Sequence, residues 1–240
     1  MIRRFGRLAY PSEVQVRGTK VARIPLTNEV DALESRLWIP NIQHALDQGS
    51  LGSCTGNAVA QCASTQPFGL QLTEEDALRA YELATQIDDI PGQYPPVDTG
   101  SSGWAAMTAA VQLGWFAGFE RADSVYQILL ALQTGPGVAG TDWYRGDDSP
   151  DGTGLVIPTG VIRGGHEYMI AGCVIARLGT GALDLEYCRI ITRNSWGDDY
   201  GVTIKYGVPI ETATGYFSHK LPHFMARLAT FGDAHFPRVP

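Results

Sequence analysis

The 240-residue sequence contains little cysteine, no excess of basic residues and no long hydrophobic run. Its four cysteines are too few to frame a secreted domain with disulfides. A chain of this length can bury a core without such bridges. The cysteines are therefore expected to be buried, reactive or incidental.

The charge balance of 18 Lys and Arg against 25 Asp and Glu gives a formal charge of −7, which argues against nucleic acid as a partner. The apolar run Tyr168–Ala176 has the length of a strand and is shorter than the ~18 residues of a membrane helix. The basic N-terminus lacks the apolar core of a signal peptide, and Arg7 is interpreted as part of a solvated tail. We expect a monomeric, cytoplasmic protein that binds neither nucleic acid nor membranes.

Motifs for cofactors are also missing. The sequence has no Cys-X-X-Cys, no metal-ligating histidine pair and no phosphate-binding glycine loop, so neither a metal nor a cofactor is expected. One group of acidic residues is interpreted as a solvated loop: Asp142, Asp147, Asp148 and Asp151.

What is present divides the chain into an extended leader over residues 1–40, a mainly helical part over 41–135 and a mainly β part over 136–240. Four helices are expected: Thr55–Gln66, Thr73 to about Gln86, Trp104–Leu113 and Ser124–Gln133. The second is expected to begin with a capping box of Thr73 and Asp76, and the last with Asp123 as its N-cap. Five strands follow: Val138–Trp143, Val156–Ile162, Glu167–Arg177, Leu183–Arg193 and Val202–Tyr206. Helices first and strands later predict an α+β fold of two lobes with a cleft between them.

Cys54 follows a glycine-rich stretch at the predicted start of a helix. The helix dipole and the free N–H groups at that position favour a thiolate. A cysteine in such a place can be a nucleophile or a small buried hydrophobe, and the position alone leaves both open. Cys62 lies inside the alanine-rich helix and is assigned to the core.

His166 follows two glycines, and Asn194 ends the next predicted strand. A hairpin turn near Thr180 makes the two residues neighbours. An Asn oxygen can then accept the imidazole N–H and fix its tautomer, while Trp196 covers the bond from water.

Three segments together resemble the papain family of cysteine peptidases, most closely its short prokaryotic and phage members: Gln48–Cys54, Gly164–Glu167 and Asn194–Gly197. The resemblance implies a helical lobe that carries Cys54 as nucleophile and a β lobe that carries His166 as base and Asn194 as its orienting residue. It also implies that the Gln48 side chain donates in the oxyanion hole.

The sequence departs from the family pattern beside the nucleophile. Leu51 replaces a cysteine, which removes one partner of a family disulfide, and Thr55 replaces an aromatic residue. The resemblance places loop 98–103 on the side of the cleft that binds residues before the scissile bond. It suggests these substrate-binding residues, each of which also has an ordinary structural explanation: Gly100, Gly103, Val138, Gly165 and Trp196.

Three functions remain open: a peptidase, a Cys-His amidase or transferase acting on cell-wall or isopeptide bonds, and a non-catalytic peptide-binding domain. The leader either inhibits the cleft or simply packs on the lobes. Cys173 and Cys188 are expected on opposite arms of the hairpin as two reduced core thiols.

Overall fold

A computed structural model describes residues 5–7, 22–23, 32–205 and 212–238 of the chain. Most of the predicted leader therefore lies outside the described residues, as do residues 206–211. Five helices and a ten-stranded, mostly antiparallel sheet make up the described part, in agreement with the predicted α+β class. None of these helices is long and apolar enough to cross a membrane.

The first three helices precede most of the sheet. They are α1 (Cys54–Ala63), α2 (Glu74–Ile87) and α3 (Gly103–Gln112). The expected capping box begins α2, with Thr73 and Asp76 each accepting a hydrogen bond from the other's backbone. Close packing of α1 on α2 requires Gly56, where a Cβ would lie 2.3 Å from the Ala77 carbonyl oxygen.

The remaining helices are α4 (Val125–Ala131) and α5 (Leu221–Phe231). The N-cap of α4 is Ser124 rather than the predicted Asp123, since the Ser124 hydroxyl accepts the Gln127 N–H. The sequence analysis did not predict α5, although Pro222 in its first turn is a helix-start signal.

Short strands at the sheet's periphery are β1 (Ala22–Arg23), β2 (Arg36–Leu37), β3 (Gly118–Ala122), β5 (Leu155–Val156) and β8 (Val202–Lys205). The central strands are β4 (Gly137–Tyr144), β6 (Ile162–Val174), β7 (Arg189–Arg193), β9 (Thr212–Lys220) and β10 (Asp233–Arg238). The strand order is β1-β3-β10-β4-β6-β7-β9-β5, with β2 on β6 and β8 on β9. Thus β3, from the mainly helical part, joins the sheet.

The predicted hairpin has a different register. A turn does close at Leu178, whose N–H donates to the Ala182 carbonyl at 2.9 Å, but β7 begins only at Arg189. Cys173 lies opposite Ile190, so Cys188 precedes the strand and is not its cross-strand neighbour. Both are buried free thiols.

The core of the described residues has two main clusters. The first surrounds Trp143, Tyr168 and Phe217 between the sheet and helices α4 and α5. The second lies between α1, α3 and the sheet, and it contains Cys62 as predicted. Helix α1 packs against β6, which brings its N-terminus to the strand that carries His166.

Candidate active site

Cys54 is the first residue of α1 and is fully buried. Burial raises the pKa of its thiol to about 11, and backbone hydrogen bonds from Glu167 and Gly6 act in the opposite direction. Because Glu167 directly follows His166, its hydrogen bond brings the Cys54 sulfur next to the histidine's segment of β6.

His166 and Asn194 are joined by a buried hydrogen bond of 2.7 Å between Nε2 and Oδ1. The same Asn194 oxygen accepts the backbone N–H of Ser195 at 2.8 Å, which fixes the orientation of the amide. Nε2 therefore carries the proton, and Nδ1 is the ring nitrogen that can exchange a proton with a thiol.

Aromatic rings enclose this histidine. The Trp143 ring lies 4.7 Å from it edge-on, and the Trp196 ring lies 5.1 Å from it. Such surroundings keep water away from the His166–Asn194 bond. Trp143 was predicted only as a strand residue. The register of β4 against β6, with Trp143 opposite Gly164, is what brings it here, and only the tertiary pairing reveals this.

Gln48 is held on both sides of its amide. Its nitrogen donates to the Leu51 carbonyl at 2.8 Å, and its oxygen accepts the Ser195 hydroxyl at 2.8 Å. A backbone bond from Gln48 to the Ser195 carbonyl adds to this. Ser195 thus links the Gln48 side chain to the Asn194 turn, a role the sequence analysis missed because the two residues are 147 positions apart.

Solved structures with the same arrangement of elements include several cysteine proteases. Xylellain, a cysteine protease from Xylella fastidiosa, matches with a TM-score of 0.64 at 15% identity, covering 100% of this chain and 99% of that one. The proCathepsin B S9 of Trypanosoma congolense matches with a TM-score of 0.59 at 12% identity, covering 98% and 87%. The bromelain protease of Ananas comosus, in complex with the E64 inhibitor, matches with a TM-score of 0.55 at 13% identity, covering 85% and 100%.

This is the papain-like fold. The resemblance drawn from the three sequence motifs is thereby confirmed at the level of the fold. No protein-family model matches the sequence, and no curated protein does.

In this papain-like fold, residues 5–7 of the chain itself lie in the cleft. The Arg7 N–H donates to the Gly165 carbonyl at 3.2 Å, and the Gly6 carbonyl accepts the Ser101 N–H at 2.7 Å. Arg7 thus forms isolated β-bridges to both walls, antiparallel to Gly165 and parallel to Ser101. Its Phe5 ring packs edge-on against His166 at 5.9 Å.

Glycines allow this close approach. A Cβ at Gly100 would lie 2.1 Å from the Gly6 carbonyl oxygen, and one at Gly165 would lie 2.3 Å from the Arg7 carbonyl oxygen. At Gly6 itself, a Cβ would lie 1.6 Å from the Gly52 carbonyl oxygen. Two of the predicted substrate-binding glycines, Gly100 and Gly165, therefore contact an extended peptide in this structure.

Two other predicted substrate-binding residues, Val138 and Gly103, have different surroundings. Val138 is fully buried in the second core cluster and is paired with Met169 on the neighbouring strand β6. Gly140, two residues further along β4, lies beside the segment in the cleft instead. A Cβ at Gly140 would lie 2.3 Å from Arg7 Nε. Gly103 begins α3 and faces the Glu167 carboxylate rather than a peptide backbone.

Arg7 contradicts the interpretation of a solvated tail, since only 3% of the residue is exposed. Its guanidinium lies between two buried carboxylates, 3.0 Å from Asp233 and 3.8 Å from Glu167. Together with His235, these acids form a group of side chains close enough to share a metal ion, but here the arginine lies against them.

Proposed function

We propose that this chain is a cysteine peptidase that hydrolyses peptide bonds through Cys54, His166 and Asn194. The observation that carries the proposal is the buried 2.7 Å bond from His166 Nε2 to Asn194 Oδ1, on the strand segment that also donates to the Cys54 sulfur. The papain-like fold and its cysteine protease neighbours support the same conclusion.

In the proposed reaction, the Cys54 sulfur, having passed its proton to His166 Nδ1, attacks the carbonyl carbon of a peptide bond. His166 then gives the proton to the leaving amine, which leaves an acyl-enzyme. Water, deprotonated by His166, attacks the thioester and releases Cys54. Asn194 keeps the imidazole in the correct tautomer throughout.

The negative charge that develops on the carbonyl oxygen needs hydrogen-bond donors. The backbone N–H of Cys54, at the N-terminus of α1, and the side-chain amide of Gln48 are the proposed donors. The bonds from Gln48 to Leu51 and Ser195 hold that amide in place before substrate arrives. Loss of one such donor typically lowers the rate about 10²- to 10³-fold.

The segment Phe5–Arg7 is proposed to inhibit the enzyme. The Gly6 N–H is directed to the Cys54 sulfur, and the Gly6 carbonyl is bonded to the Ser101 N–H. Gly6 therefore offers the thiol an amide hydrogen, while its carbonyl group is held by Ser101. Such a segment blocks the cleft without being a substrate for its own thiol.

A single substitution tests both the peptidase activity and its inhibition by the segment Phe5–Arg7. Gly6→Leu places a side chain against the Gly52 carbonyl oxygen, where there is no room, and is expected to displace the segment and expose Cys54. Gly152→Leu is the matched control, since a Cβ at Gly152 meets nothing within 4 Å. The Gly6→Leu variant should digest a mixed peptide library much faster than the control and the unaltered chain.

The same digest identifies the reaction class. Adding Cys54→Ala or His166→Ala to Gly6→Leu should abolish cleavage without unfolding the protein, as followed by thermal denaturation. Cleavage that persists in both double variants would contradict the proposal. Binding of library peptides with no cleavage would favour a binding domain, and release confined to cell-wall or isopeptide-linked fragments would favour the amidase.

A further inference from the structure

The pocket that holds the Arg7 side chain offers three electronegative groups to a cation. Asp233 Oδ1 lies 3.0 Å from Nη2, and Glu167 Oε2 lies 3.8 Å from Nε. The third group is the carbonyl of Phe231, the last residue of α5, which accepts Nη1–H at 2.7 Å. The C-terminal end of a helix carries partial negative charge, so all three groups attract the guanidinium.

Glu167 is the least satisfied member of this pocket. It is fully buried, and neither of its carboxylate oxygens accepts a hydrogen bond within the described part of the chain. A buried carboxylate left in this way is costly unless a cation lies beside it. Among the described residues, the cation that compensates Glu167 is the Arg7 guanidinium.

Glycines shape the pocket wall around that carboxylate. A Cβ at Gly140 would lie 2.3 Å from Glu167 Oε2 and equally close to Arg7 Nε. A Cβ at Gly103 would lie 2.6 Å from Glu167 Oε1. A Cβ at either position would force the carboxylate to shift, and at Gly140 also the arginine beside it.

The remaining polar neighbour adds no positive charge. Burial lowers the pKa of His235 to about 4, so its ring is neutral near pH 7. Burial and the charge of Asp233 raise the pKa of Glu167, while Arg7 lowers it. Because burial disfavours the charged form of Glu167 and the Arg7 guanidinium favours it, a guanidinium is the ligand that matches the two carboxylates.

The pocket lies within the proposed catalytic site. Arg7 directly follows Gly6, the residue whose N–H contacts the Cys54 sulfur. It also pairs with Ser101 and Gly165, which line the walls of the cleft. A substrate strand held between these walls would thus place one side chain in this pocket, a single residue away from the one at the nucleophile.

We infer that the Glu167–Asp233 pocket is a specificity pocket for arginine side chains of substrates, and that Arg7 occupies it as an internal copy of that ligand. This inference rests on the proposed function. It assigns Glu167, Asp233 and the Phe231 carbonyl as the recognition groups, with Gly103 and Gly140 providing the space. The substrates it selects are peptides with arginine next to the residue at the scissile position.

The first test compares arginine with citrulline, its uncharged analogue of nearly the same shape. The full chain carrying Arg7→Ala is given fluorogenic peptides that differ only in this side chain, at the second position before the cleaved bond. We expect kcat/KM to favour arginine by about 10- to 100-fold, the range for a charged hydrogen bond in a buried site. In Glu167→Gln and Asp233→Asn versions of that chain, this ratio should fall towards one.

Equal cleavage of both peptides would overturn the pocket assignment while leaving the peptidase proposal intact. Failure to cleave either peptide would count against the proposed function instead, and a second measurement then decides the pocket. In a chain carrying Cys54→Ala and Arg7→Ala, millimolar ethylguanidinium should raise the thermal midpoint, and neutral ethylurea should not. With Arg7 intact the two compounds should act alike. Equal effects of both compounds on the Arg7→Ala chain would overturn the inference without any catalysis being required.

Discussion

Two buried arginines in this molecule differ in how well the carboxylates beside them are hydrogen-bonded. Arg227 of α5 forms a two-pronged ion pair with Asp147, at 2.6 and 2.7 Å, and also donates to the Asp142 carbonyl at 2.9 Å. The Asp147 carboxylate additionally accepts the Tyr144 N–H at 2.8 Å. Arg7, by contrast, lies 3.0 Å from Asp233 and 3.8 Å from Glu167, whose carboxylate accepts no hydrogen bond from the described residues.

The difference separates a structural ion pair from an exchangeable one. The Asp147 carboxylate is fixed by the Tyr144 N–H and by two nitrogens of Arg227, so its geometry is specific to that arginine. Glu167 and Asp233 are compensated by a cation, and their described side-chain contacts can be made by a guanidinium from another chain as well as by that of residue 7. This explains how the same pocket can hold the leader at one time and a substrate side chain at another.

The largest effect on stability is expected for the structural ion pair of Arg227. Arg227→Ala leaves the Asp147 charge buried and should lower the free energy of unfolding by about 3–5 kcal/mol. Denaturant unfolding of the full chain measures this. A smaller loss of unfolding free energy than that caused by Arg7→Ala would contradict the assignment of Arg227 as the structural ion pair.

Arg7→Ala should lower the free energy of unfolding by less, about 1.5–3 kcal/mol, because its carboxylates can take up protons or water once the segment leaves. Unlike Arg227→Ala, it should also raise peptidase activity. Activity and unfolding are measured on the same preparations. A loss of activity in parallel with stability would show that Arg7 is merely structural.

The smallest effect concerns the pH dependence of the Cys54 thiol. Only the thiolate reacts with iodoacetamide, and with a pKa of about 11 the alkylation rate of the unaltered chain should rise roughly tenfold per pH unit through the neutral range. Gly6→Leu removes part of the burial that raises this pKa. Its alkylation profile should shift to lower pH by at least about one unit, or about 1.4 kcal/mol. Superimposable alkylation profiles for this variant and Gly152→Leu would contradict the proposal that the segment Phe5–Arg7 covers Cys54.

The features that local sequence determines were predictable. The capping box at Thr73 and the helix that begins at Cys54 need only neighbouring residues, and both were expected. For these two features the deciding interactions span a few positions. Gly100 and Gly165 were suggested as substrate-binding residues by the family resemblance, beside an ordinary structural explanation for each.

The rest depends on contacts between distant residues. Arg7 resembles any exposed basic residue until it meets Asp233, which is 226 positions away and begins a strand that was not predicted. Asp147 was assigned to a solvated loop because its partner Arg227 lies in an unpredicted helix. Val138 was chosen in place of Gly140 since the register of β4 against β6 is fixed only by the assembled sheet.

The most direct test of the account is the mass of the adduct that an epoxide thiol reagent forms at neutral pH. We predict one adduct, on Cys54 alone, that forms slowly in the unaltered chain and quickly in Gly6→Leu. His166→Ala should suppress it, and the three other cysteines serve as internal controls. Labelling of another cysteine, or labelling of Cys54 at the same rate with and without Gly6→Leu and His166→Ala, would contradict a catalytic thiol covered by its own leader.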